Sequence, residues 1–131
     1  MAAVEEALVA VLSADAGVTA LAAARIFPAG GRQGAAYPYA TFQRISTSGA
    51  GHLDGPSNLD WPRLQIDCWA ETAPAAMALA EAVNSALDGQ ALNGAGLDFY
   101  ATRQDLRGPS ADEQTRKFRV SIDYYLWHER N

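Results

Sequence analysis

Cysteine is almost missing from this sequence, and Cys68 is its only representative. One thiol makes no internal disulfide and no cysteine-rich metal site. It fits a reducing cytoplasm. Histidine is scarce as well. His52 and His128 stand far apart, with no HxxxH or HxH spacing, so no metal-ligating pattern is present. Positive charge is thin: ten Lys and Arg, scattered, against fifteen Asp and Glu, for a net charge of −5. Neutralising phosphates takes clustered cations, so the composition argues against a nucleic-acid-binding surface. No apolar run approaches the roughly 20 residues of a membrane span. The opening "MAAVEEALVAVLSAD" has no basic region and carries Glu5 and Glu6, unlike a secretory signal. The expectation is a soluble product of the cell interior, or one assembled there, with no membrane association.

What is present is alanine and β-rich segments. The 131 residues suit one domain spanning 1–131, and 49% are hydrophobic. Much of that fraction is alanine, which buries little area. Thin helices on a sheet are expected, with aromatics supplying most of the buried surface. Val4, Ala7, Leu8, Val11 and Leu12 recur at helical spacing and predict a helix over 3–14. "VTALAAA" predicts a second short helix. The glycine-rich "RIFPAGGRQGAAYP" reads as a loop with a brief strand at Ile26–Phe27. Tyr39–Ser48 and Trp61–Ala70 alternate as strands and form an antiparallel hairpin with a long tip, Gly49–Asp60. Pro62 cannot donate to a ladder and belongs at a strand start or an edge. Thr72 is a candidate N-cap, Pro74 suits the first turn, and Gly89 the stop, of a helix striped by Ala76, Leu79, Ala80, Val83 and Leu87. Gly96–Leu106 and Thr115–Glu129 predict two further strands, joined by the polar Arg107–Gln114. The predicted fold is α+β, in the order αα-ββ-α-ββ. It is a four-stranded, mainly antiparallel sheet with helices on one face.

Alternation sorts the strand residues into two faces. Leu64, Ile66, Cys68 and Ala70, with Phe118, Val120, Ile122, Tyr124 and Leu126, form a core face. Arg63, Gln65, Asp67 and Trp69, with Arg119, Ser121, Asp123, Tyr125 and Trp127, form the other. That second face mixes aromatics with single charges, the composition enriched at protein interfaces. Trp61, Arg63, Asp67, Trp69, Arg119, Asp123, Tyr125 and Trp127 are therefore the candidate subunit-interface residues. His52, Leu53, Asp54 and Asp60, with Asp112 and Glu113, are candidate loop residues facing a neighbour or a channel.

Catalysis finds little support. Asp67 and Cys68 point to opposite faces, so they form no dyad. Cys68 reads as a buried small hydrophobe. Asp67 and Asp123 share a face, where Arg63 and Arg119 are the natural partners. "GAGHLDG" lacks GK[ST] and joins two strands, so it is no phosphate loop. No catalytic, metal or cofactor site is expected.

In order, "EEALVAVLSADAGVTALAAARIFP", "YPYATFQRIS", "LDGPSNLDWPRLQIDCWAETAPAAMALAEAVNSALDG" and "RKFRVSIDYYLWH" resemble the tail-completion, or tail-terminator, proteins of long-tailed phages, prophages and gene transfer agents. The resemblance spans nearly the whole chain. Its most specific part is "LDG" followed by "RLQIDCWA" and the helix "ALAEAV…AL". It implies a virion structural protein assembled in the host cytoplasm. Its partners would be copies of itself in a ring, usually hexameric, the tail tube protein below and the head–tail stopper or connector above. The ring would cap the tube, stop its polymerisation and let DNA pass without binding it. Two alternatives stand beside this. One is a head-side stopper or adaptor of the neck. The other is a small enzyme or ligand-binding protein using Asp67, Asp123, Tyr125 and Trp127.

Overall fold

The structure is a computed structural model that describes residues 4–30, 34–52 and 55–129. Helices α1 (Val4–Ala14) and α2 (Ala16–Ala22) come first, then strands β1 (Ile26–Pro28), β2 (Tyr39–His52) and β3 (Gly55–Ala70). Helix α3 (Ala73–Leu87) follows, then β4 (Gln90–Gly94), β5 (Leu97–Ala111) and β6 (Phe118–Glu129). The α+β class holds, but the sheet has six strands in the order β1-β2-β3-β6-β5-β4, two more than predicted. All pairings are antiparallel except β1 with β2.

The two added strands are edge strands. β1 is the brief strand expected at Ile26–Phe27; it runs on to Pro28 and joins the main sheet, which the four-stranded reading did not include. β4, "QALNG", sits between two glycine turns and holds no β-branched or aromatic residue, so it lacks a strand's usual composition. The expected hairpin loop at Gly49–Asp60 is also corrected. β2 and β3 pair from Tyr39↔Trp69 out to His52↔Gly55, so most of that stretch is ladder. Its backbone pairing overrides the turn-forming composition. His52 and Asp60 lie in strands, while Leu53 and Asp54 fall outside the described residues. The connection Arg107–Gln114 is shorter than expected, because β5 continues to Ala111 through a shift between Arg107 and Ser110. Pro62 is neither at a strand start nor at an edge. It lies inside β3, where the ladder to β6 passes from Asp60↔His128 directly to Arg63↔Tyr125 and asks no N–H of it.

The helices form one layer against one face. Asp15 caps α2 by accepting from Val18 N at 3.0 Å, and Thr72 caps α3 by accepting from Ala75 N at 3.2 Å. Past α3, Gly89 takes φ +72, a left-handed value that favours glycine at a helix stop. The stripe Ala76, Leu79, Ala80, Val83 and Leu87 is fully buried. It meets Leu64, Ile66, Cys68, Val120, Ile122, Tyr124 and Leu126 from the sheet. The Tyr124 hydroxyl donates to Asn84 Oδ1 at 2.8 Å, which satisfies the one polar atom of a large core residue. Helix α1 touches both β1 and β4, at opposite margins of the sheet, so the sheet curls around it.

Candidate functional site

The second face of the sheet carries the unusual chemistry. Across it, the register aligns Tyr39, Trp69 and Arg119 in one row and Thr41, Asp67 and Ser121 in the next. Then come Gln43, Gln65 and Asp123, and after them Arg63 and Tyr125.

The middle of this face is closed. Asp67 is 7% exposed and Asp123 6% exposed. Asp67 Oδ1 accepts from Ser121 Oγ at 2.6 Å and from Gln65 Nε2 at 2.9 Å. Asp123 lies between two arginines. Arg63 Nη2 donates to its Oδ2 at 2.9 Å, and Arg107 Nη2 to its Oδ1 at 3.1 Å. Arg107 also reaches Asp105 Oδ2 at 2.7 Å. The bond to Asp123 raises the pKa of Arg63 above its ordinary value, and Asp123 followed by Asp105 does the same for Arg107. The Arg107 guanidinium in turn holds the Asp105 carboxyl below its usual range. Asp67 and Asp123 are thus each fixed by at least one donor from a neighbouring strand.

Aromatic clusters flank this polar centre. At one end Tyr39 stacks on Trp69 with centroids 6.3 Å apart, and Tyr37 and Phe27 join Tyr39 at 5.1 and 6.0 Å. Arg119 lies 5.4 Å over the Trp69 ring, and Lys117 5.3 Å over Tyr37. Burial raises the pKa of the Tyr39 phenol. At the other end Trp61 and Trp127 are 4.9 Å apart, and Tyr125 meets Trp127 edge-on at 5.9 Å. Trp127 Nε1 donates to Thr102 Oγ1 at 3.0 Å, and Trp69 Nε1 to Thr41 Oγ1 at 3.3 Å. Trp61, Trp69, Tyr125 and Trp127 all stay partly buried, and Arg119 is exposed.

The structure therefore gathers the eight candidates on one face and divides them. The two aspartates are buried beneath the surface, while the aromatics and arginines form its relief. Arg63 is the partner expected for Asp123. Arg119 instead lies over Trp69, and Arg107 supplies the second cation. Sequence reasoning missed Arg107 because it lay in an expected loop. Cys68 is fully buried on the opposite face, where desolvation pushes its thiol pKa far up. Asp112 and Glu113 lie at the β5–β6 turn, beside a groove of about 460 Å³ lined with Trp69, Arg119, Ser110 and Ala111. No group of three or more His, Cys, Asp or Glu among the described residues could hold a metal.

A family model described as tail completion protein gp17 matches residues 6–129. The chain belongs to the tail completion protein family. It is thereby a structural protein of phage or phage-like particles. The fold of this tail completion protein is similar to that of a chain in the virion of a native gene transfer agent particle. The TM-score is 0.75 at 20% identity, covering 97% of this chain and 95% of that one. At that identity the likeness speaks for the fold alone. No curated protein matches the sequence.

Proposed function

We propose that this tail completion protein forms a ring, of six copies, on the last ring of a tail tube, where it ends polymerisation and joins the tail to the neck. The observation that carries the reading is the family match over residues 6–129. The second sheet face supports it. Its partly buried tryptophans and tyrosine, with the arginines beside them, suit a subunit contact, and the buried Asp67 and Asp123 support that relief from below. A ring uses a heterologous contact, with two different patches meeting. The β2–β3 tip and the β5–β6 turn with Asp112 and Glu113 are suited to meet the tube and the head-side connector. The acidic balance, net −5, fits a lumen that DNA crosses without being held.

The test is deletion of the gene from a producing strain, followed by microscopy of the particles. The expected result is tails of irregular length separated from filled heads. Joined particles of normal length would overturn the reading. Tails of uniform length that stay unjoined would instead favour the head-side stopper.

A further inference from the structure

The sheet treats its margins unequally. Beyond β4, the outer run of β5 is closed. Arg103 N donates to Asp88 Oδ1 at 3.0 Å, Leu106 N donates to Asp105 Oδ1 at 2.9 Å, and Pro109 has no N–H. β1 ends on Pro28. These are devices that stop a sheet edge from recruiting another strand. Two runs lack them. One is the row beside β2. Among the described residues, β1 covers only Ala40–Phe42, the last backbone bond there runs from Ala29 N to Phe42 O at 2.8 Å, and no strand lies beside Gln43–Ser48. The other is the outer side of β4, where Gln90, Ala91 and Asn93 are exposed and no charged residue occurs. The only charged side chain of the β2 run, Arg44, is turned to Glu5.

The same two margins carry complementary surface. Ile45 sits at a bulge in the open β2 run and is 49% exposed. Beside β4 a groove of about 690 Å³ is lined by Leu92, Phe99, Tyr100 and Trp127, with Tyr100 44% exposed. A knob lies on one open edge and a hollow beside the other.

We propose that the open β2 edge of one copy pairs with β4 of the next, continuing one sheet from subunit to subunit and covering Ile45 at the Tyr100 side of the groove. The occupant is a second copy of this chain because both halves of the fit lie on it, on opposite sides of the sheet. Such a contact is heterologous, and repeated it closes into a ring. The two unblunted edges supply main-chain bonds, and the Ile45 contact sets the register. The inference rests on the ring reading and names which margins meet.

Thiol cross-linking with a short bismaleimide tests it, using Ile45→Cys and Ala91→Cys. Cys68 is buried, and the unsubstituted protein is the control. The double variant should give a ladder of multimers, and an equal mixture of the two single variants a dimer band only. Ile45→Lys should weaken self-association about tenfold, since a half-exposed isoleucine would no longer be covered, while leaving the melting temperature of the subunit unchanged. Rings that form normally but give no Ile45–Ala91 ladder overturn this pairing and leave the ring reading standing. A chain that stays monomeric at every concentration, and on the tail, overturns both.

Discussion

Arg44 on β2 grips Glu5 on α1 through two bonds, Nε to Oε2 at 2.9 Å and Nη2 to Oε1 at 2.7 Å. This fork ties the first helix to the long hairpin across 39 residues of chain. The Arg44 guanidinium holds the Glu5 carboxyl below its ordinary 4.5. The folded value is thus lower than the unfolded one. The pair stabilises fully above about pH 4.5, and its contribution is lost as pH falls from there through the folded value. Both groups are partly solvated, so the contribution is about 0.2–1 kcal/mol. Thermal melts of the wild type and Glu5→Gln should differ at pH 7, and the gap should shrink as the pH falls below about 4.5. A gap that does not shrink as the pH is lowered would contradict the assignment.

Asp123→Ala removes the carboxylate shared by Arg63 and Arg107. Both arginines reach solvent, so neither becomes a trapped charge, and the loss should be roughly 1–3 kcal/mol. Asp123→Asn keeps the shape but not the charge, and should cost somewhat less. Urea unfolding of the two variants measures this.

Gly94 is a packing glycine. A Cβ there would run into Ala7 O and lie 3.0 Å from Ala7 C, both backbone atoms of α1 that cannot rotate away. Gly94→Ala should cost about 1–3 kcal/mol by pushing α1 off β4. A variant as stable as the wild type would show that α1 shifts freely.

Arg119→Glu addresses the aromatic face. Arg119 is exposed and lies over Trp69, a contact worth about 0.5–1 kcal/mol. Subunit stability should change by no more than that, while sedimentation shows loss of the oligomer. Unaltered assembly would exclude the Trp69 end of the face from the contact.

The long-period features were readable in the sequence. The stripe from Ala76 to Leu87 and the alternation from Leu64 to Leu126 each repeat often enough to fix an element and its buried side. What was not readable is fixed by pairing rather than by side chains. β4 exists because Gln90–Gly94 can bond to Leu97–Ala101, although Gln and Asn give no strand signal. The outer part of the β2–β3 hairpin is rich in Gly, Ser and Asp, and only its partner strand keeps it extended. The burial of Asp67 and Asp123 was hidden for a related reason. Asp67 is held by Ser121 and Gln65, and Asp123 by Arg63 and Arg107; alternation reports a face but not its relief.

The two long hairpins point to opposite ends of the sheet. The β2–β3 tip lies beyond Leu59↔Glu129, and the β5–β6 turn beyond Ala70↔Phe118. Between them runs a single ladder, β3 against β6. A pull applied between the tips travels along these strands, at right angles to their hydrogen bonds. The bonds are then sheared together and cannot be peeled one at a time. The helices lie off this line and carry little of the tension. The subunit is in effect a tie-rod, strongest along the direction that joins its two extremities.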